Sequence, residues 1–301
     1  MTLIATTSDF LSAHPALFTA LIAAIGLVVG SFLNVVAARM PRRMEQQWAE
    51  ECREWLESQG VATDTLPEPP AGPGNIAWPG SQCPDCGTAI RARDNIPVLS
   101  WLLLRAKCRA CGRPISVQYP LVELAAALLG AVVAWHFGFG WPALFALVFT
   151  WILLAATVID LRTMLLPDDL TLPLLWLGLL AAVAGIGFAS PVDAILGAIL
   201  GYGVLWTVFQ GFRLLTGKEG MGFGDFKLLA ALGAWTGWQG LPLIVVLSSA
   251  VGAVVGITLI LARGQDRTVP IPFGPYLAAG GWIALLWGDA ITRAYLLWVM
   301  T

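Results

Sequence analysis

The chain has 301 residues, of which 57% are hydrophobic and only 12% charged. Soluble domains carry about 25% charged residues, so the solvent for most of this chain is lipid and a water-soluble class is excluded. A net charge of −2 leaves no basic face of the kind nucleic acid requires, and no nucleic-acid partner is expected.

The first apolar run extends from about Ala16 to Val36, which is long enough to span. No basic residue precedes it, as a secretory signal would require, so it reads as a retained first helix. Further apolar stretches fall at roughly 119–137, 142–160, 171–188, 192–212, 225–237, 240–262 and 273–291. The expected fold is therefore all-α, a polytopic membrane protein of about eight transmembrane segments. A straight span needs about 20 residues, so the stretch at 225–237 is short and suits a half-helix or a tilted partner of its neighbour. Fourteen Trp suit the lipid–water interface, where the ring is half buried and its N–H stays wet.

Three regions follow: a first transmembrane helix at 1–40, a polar domain at 41–118 and a membrane core at 119–301. Ten of the 17 Lys and Arg lie between the first two spans. If that loop is cytoplasmic, alternation of eight spans leaves only Arg293 outside, with Arg162, Arg213, Lys218, Lys227, Arg263 and Arg267 all inside. The positive-inside rule thus places the loop in the cytoplasm and both termini on the other side of an inner membrane. Within the loop, Met44 to Ser58 reads as an amphipathic helix with Trp48, Cys52 and Trp55 at helical spacing. Cys52 is expected to be a buried apolar residue. Leu66 to Gly74 is a Pro/Gly linker that cannot hold a helix.

Cys83-Pro-Asp-Cys86 and Cys108-Arg-Ala-Cys111 form two CxxC pairs, each followed by glycine. Two-residue spacing lets both thiolates of a tight knuckle face one ion, and four thiolates complete the closed tetrahedral shell that zinc prefers. Such a shell has no open position for water, so the metal is expected to be structural. Two disulfides are the competing reading, and a reducing cytoplasmic side argues against them.

Asp160 ends a run with no other charge, Trp151-Ile-Leu-Leu-Ala-Ala-Thr-Val-Ile-Asp160, and Asp225 closes Gly220-Met-Gly-Phe-Gly-Asp225. An ionisable residue at the end of a span is costly and points to function. Two close carboxyls share one proton, so that one activates water while the other donates a hydrogen bond to a scissile carbonyl. Gly222 and Gly224, lacking Cβ, let the backbone bend and approach a substrate closely. The competing reading of either Asp is an interfacial residue or a helix cap. Asp168 and Asp169, after Pro167, suit the cap and first turn of the next helix. There is no HExxH, neither His14 nor His136 has a ligand-like neighbour, and Ser31 lacks a GxSG frame; a carboxylate mechanism is what is left for a protease. A proton- or cation-coupled transporter using the Asp pair and a non-catalytic zinc-ribbon scaffold are the rivals.

Taken together the motifs resemble the type IV prepilin peptidases. The likeness rests on Gly30-Ser-Phe-Leu-Asn-Val-Val36 with Arg39 and Pro41, both CxxC pairs, Asn95-Ile-Pro97 and Ser100-Trp-Leu102. It continues through Ile115 to Pro120, Glu123, Leu166-Pro-Asp168, the glycine-rich stretch ending in Asp225, and Pro272-Phe-Gly-Pro275. The GxGD arrangement is also shared with presenilin-like aspartyl proteases. The resemblance implies cleavage of the basic leader of prepilins or pseudopilins of type IV pilus and type II secretion systems, on the cytoplasmic side after a glycine. It implies Asp160 and Asp225 as the catalytic pair. It further implies methylation of the new N-terminus from S-adenosylmethionine, which no nucleotide fingerprint in the chain supports independently. Methyl transfer is assigned to the loop or the cytosolic membrane face without named residues, and Glu123 to substrate docking or helix capping.

Overall fold

The computed structural model describes residues 2–63, 66, 75–76, 78–218, 220–263 and 271–300. Residues 67–74 of the expected Pro/Gly linker, and Arg267, lie outside them. The described residues hold ten α-helices and two short 3₁₀ turns, with no strand beyond two isolated bridges. The chain divides into two compact units, one of Ala24–Leu128 and one of the residues up to Ala23 together with those from Leu129 on.

After α1 (Thr2–Ala13), α2 (Pro15–Ser58) runs as one helix of 44 residues, of which those from Ala24 on belong to the first unit. Pro41 sits inside the helix and is buried. The helix loses one backbone bond there, and the apolar and charged stretches join end to end. In the charged half, Cys52 is exposed and so are Trp48 (46%) and Trp55 (63%). The expectation of a buried Cys52 is therefore corrected: among the described residues this stripe faces no core. Higher up, Gly26-Leu-Val-Val-Gly30 packs against α4 (Gln118–Phe137). A Cβ on Gly30 would lie 2.6 Å from Glu123 Cα, and one on Gly26 would lie 2.7 Å from the Ala126 carbonyl oxygen. Small residues four apart let two membrane helices approach backbone to backbone. Between α2 and α4 in the chain lie the cysteine loop, the 3₁₀ turn Ala92–Asp94 and the short α3 (Leu99–Leu103).

The second unit is a bundle of α5 (Trp141–Thr163), α6 (Asp168–Val183), α7 (Pro191–Thr216), α8 (Phe223–Thr236), α9 (Leu241–Arg263) and α10 (Gly274–Met300). Its centre is α8, whose residues Asp225, Phe226 and Leu228–Trp235 are all buried. A helix that is apolar on every side must be enclosed by protein or lipid, and α6, α7, α9 and α10 all pack on it. The α7–α8 contact is closest where Gly197 faces Gly233 and Gly201 faces Leu229; a Cβ on Gly201 would fall 2.5 Å from the Leu229 carbonyl oxygen. The buried Trp235 ring is anchored by an Nε1–H bond of 2.8 Å to the Leu174 carbonyl of α6.

Among the described residues, six helices are long and apolar enough to cross a membrane: α2, α4, α5, α7, the segment Trp238–Ala262 that is mostly α9, and α10. The other two apolar stretches form α6, at 16 residues, and α8, at 14. Many large apolar side chains point outward, Leu214 (87%) and Leu215 (88%) among them. So much exposed apolar surface is incompatible with water; the chain is a multi-pass membrane protein.

Candidate active site and metal centre

Asp160 lies one turn from the end of α5, a helix stopped by Met164 in the left-handed conformation with its N–H on the Asp160 carbonyl (2.9 Å). Its side chain is 4% exposed. It reaches the start of α10, where the Gly274 N–H donates to Asp160 Oδ2 at 2.9 Å. The first N–H groups of a helix have no partner inside it, and their positive end favours a carboxylate. Asp225 is 8% exposed and stands in the first turn of α8, the same electrostatic position on another helix. The two carboxyls are close enough for the charge of Asp160 to act on Asp225.

Leu166 explains the glycines around the pair. A Cβ on Gly224 would fall 2.6 Å from Leu166 Cβ; one on Gly274 would fall 2.6 Å from Asp160 Oδ2 and 3.0 Å from Leu166 Cδ1. Gly222, the residue before α8, has only Asp225 Oδ2 nearby, at 4.0 Å from an added Cβ. Asp168 and Asp169 occupy the first turn of α6 after Pro167, the residue that caps it. Asp168 is half exposed and bound through both oxygens to Lys227 Nζ at 2.7 Å. A groove of about 380 Å³ opens beside the Gly222 and Gly274 turns, between Met221, Phe273 and Tyr276 and the faces of α7 and α9 that carry Val204, Val208, Gly252 and Ala253.

In the other unit the four cysteines Cys83, Cys86, Cys108 and Cys111 converge, with all four sulfurs within 4.8 Å of one another. The two knuckles repeat one geometry. Gly87 N–H donates to the Cys83 carbonyl and Gly112 N–H to the Cys108 carbonyl, each at 2.9 Å, with φ of +68° and +71°. Cys83 N–H bonds to the Thr88 carbonyl and Cys108 N–H to the Arg113 carbonyl. The positive φ is why glycine follows each pair. Zinc–sulfur bonds of about 2.3 Å in a tetrahedron place sulfurs about 3.8 Å apart; Cys83 and Cys111 Sγ are 3.9 Å apart. The four residues fit zinc, and none is in a disulfide. The Thr88 hydroxyl and backbone draw the Cys86 thiol down to about 6. At Cys111 the Arg113 backbone pulls the other way, but desolvation and the neighbouring thiols push it up to about 12. Four thiols this close do not ionise together without a cation between them.

Two family models match the sequence: the bacterial peptidase A24 N-terminal domain over residues 24–137 and the type IV leader peptidase family over residues 147–257. The chain is 54% identical to a prepilin leader peptidase/N-methyltransferase of Stutzerimonas stutzeri, over 96% of its own length and 97% of the relative's. It is 55% identical to one of Pseudomonas aeruginosa at the same coverages, and 56% identical to one of Aeromonas hydrophila over 94% and 95%. The chain belongs to the type IV leader peptidase family. No solved structure matches it.

For this leader peptidase family member, sequence reasoning named both aspartates and all four cysteines but no role for Gly274. Its signal was present: Pro272-Phe-Gly-Pro275 puts a helix start next to a glycine, hence a free N–H with no side chain in the way. Glu123 is likewise more than a cap. It is 6% exposed, and its Oε2 accepts the Val98 N–H at 2.7 Å across the cysteine loop's return.

Proposed function

We propose that the chain is an intramembrane aspartyl endopeptidase that removes the leader of prepilins or pseudopilins through Asp160 and Asp225, and then methylates the new N-terminus. The observation that carries the peptidase reading is that two carboxyls, Asp160 at the end of α5 and Asp225 at the start of α8, are both buried and near enough for one charge to act on the other, with Asp160 held by the turn that begins α10. Two buried carboxyls whose charges act on one another do not readily ionise together, so one stays protonated while the other is ionised. The ionised partner takes a proton from the attacking water, and the protonated partner donates a hydrogen bond to the scissile carbonyl as its oxygen gains charge. The Gly274 N–H keeps Asp160 aimed, and Gly224 lets the α8 turn close on Leu166 without displacing Asp225. The apolar groove beside this turn receives the apolar helix that follows the cut, so the scissile bond lies at the mouth of the bundle.

The cleaved side is the cytoplasmic one, after a glycine, in a bacterial inner membrane. Lys and Arg concentrate in the charged end of α2 and the segment between α2 and α4, so that part of the chain with its cysteines faces the cytoplasm and the termini face the periplasm. Zinc on Cys83, Cys86, Cys108 and Cys111 is structural, since a closed thiolate shell offers no position for water. S-adenosylmethionine is the methyl donor. Support for both activities comes from relatives of near-full-length similarity that carry the double name. The deciding experiment mixes purified protein in detergent with a prepilin and reads leader loss and methyl gain by mass spectrometry. Wild type yields a shortened, methylated product. Flux of an ion or solute with no leader loss would instead establish the transporter reading.

A further inference from the structure

The unit Ala24–Leu128 holds a cavity of about 560 Å³ that the peptidase chemistry does not use. Its walls come from α2, the cysteine knuckles, the segment around α3 and the first turns of α4. This volume falls within the range of about 300–1,000 Å³ that accommodates cofactor-sized ligands.

The buried end of the cavity is made of acceptors. Asn34 is 2% exposed, and its Nδ2 donates to the Gly30 carbonyl at 3.2 Å and the Tyr119 carbonyl at 3.1 Å. Those two bonds fix which way the amide faces, and they leave Oδ1 buried without a partner among the described residues. A buried polar atom without a partner is uncommon enough to require a reason. Glu123 lines the same cavity; its carboxylate takes the Val98 N–H and the Ser31 hydroxyl and keeps acceptor capacity to spare. The cations that line the cavity do not neutralise this end. Arg39 spends its guanidinium on the carbonyls of Asn75, Ile76, Pro79 and Gly80, and Arg109 grips Asp94. Arg91 is exposed at the rim, where Arg113 faces Asp85 at 3.9 Å. Trp101 adds a flat apolar wall, its ring held by an Nε1–H bond of 3.1 Å to the Ile115 carbonyl.

A buried carboxylate beside an orphaned amide oxygen and an aromatic wall together describe one ligand chemistry: a cationic, N–H-donating head and a flat base. We infer that this cavity binds S-adenosylmethionine, with Glu123 as counter-charge to its cationic head and Asn34 Oδ1 accepting from its ammonium. The inference rests on the N-methylation reading above and adds to it the site and the two residues that define it.

The test uses full-length protein in detergent and tritium-labelled S-adenosylmethionine, with binding read by equilibrium dialysis. Glu123→Gln keeps an acceptor for the Val98 N–H but removes the charge; the dissociation constant is expected to rise tenfold or more, with the thermal unfolding midpoint recording that the chain remains folded. Asn34→Leu is expected to weaken binding as well. Because either variant can disturb packing, the wild type is also irradiated with the labelled donor and digested. Label on peptides containing residues 31–39, 96–104 or 119–123 supports the site, and label confined to residues 129–301 overturns it. Unchanged affinity in folded Glu123→Gln and Asn34→Leu overturns it too. If wild-type protein methylates its product while these arms fail, the cavity assignment falls and the methylation reading stands; if wild type neither binds the donor nor methylates, the reading itself falls.

Discussion

Asp160 and Asp225 each sit where an unpaired helix N–H group can support negative charge, and each is nearly enclosed by protein. Asp160→Asn and Asp225→Asn should each lower leader cleavage by about a thousandfold or more, because groups that act as a unit fail together; a prepilin processing assay on purified variants checks this. Asp168 is a useful contrast. It is exposed and paired with Lys227, and surface pairs contribute little, so Asp168→Asn should stay within a few-fold of wild type in the same assay. Activity in Asp160→Asn combined with loss in Asp168→Asn would reverse the assignment. Gly274→Ala tests the support rather than the acid: the new methyl would lie 2.6 Å from Asp160 Oδ2, and relieving that overlap by shifting the carboxyl about 1 Å costs about a hundredfold in rate. The expected signature is a fall in kcat with the substrate's KM little changed.

Among the elements, α8 is the most informative. Its 14 residues are too few for a straight span, and its burial on nearly every side shows what replaces length: α6, α7, α9 and α10 surround it. The contact depends on glycine, since a Cβ at Gly197 would overlap the Gly233 backbone. Gly197→Ala should therefore cost about 1–3 kcal/mol of stability, as overpacked cores do, seen as a lower thermal unfolding midpoint in detergent. The apolar run at 225–237 was visible in sequence, and so was its shortness. What could not be read was the enclosure, because hydropathy does not distinguish lipid from protein as the apolar neighbour. The opposite error occurred at Cys52. Helical spacing with Trp48 and Trp55 implied a packed face, yet spacing reports only that three residues share a side of a helix, not that anything covers it.

At the scale of the molecule, the charge distribution and the metal centre are the features to test. An alkaline phosphatase fusion after Ser58 should be inactive and one after Thr301 active, as a cytoplasmic cysteine loop and a periplasmic C-terminus require. The purified protein should carry one zinc per chain by elemental analysis, and Cys86→Ser should lose it. Metal loss should also make the segment from Trp78 to Gln118 newly sensitive to protease, since a small polar domain has little core without its ion. By itself the sequence determined the solvent, the helical class and the two CxxC knuckles, and it singled out the two aspartates as candidates. These follow from local chemistry: hydropathy, two-residue thiol spacing, and charges that lipid does not tolerate. Only the tertiary structure decided that α2 runs unbroken through Pro41, that the Gly274 N–H holds Asp160, and that Asn34 and Glu123 turn acceptors into one cavity. Each depends on partners between 25 and 114 residues away or on packing around a helix. No periodicity in the chain encodes which distant backbone will arrive to meet a side chain.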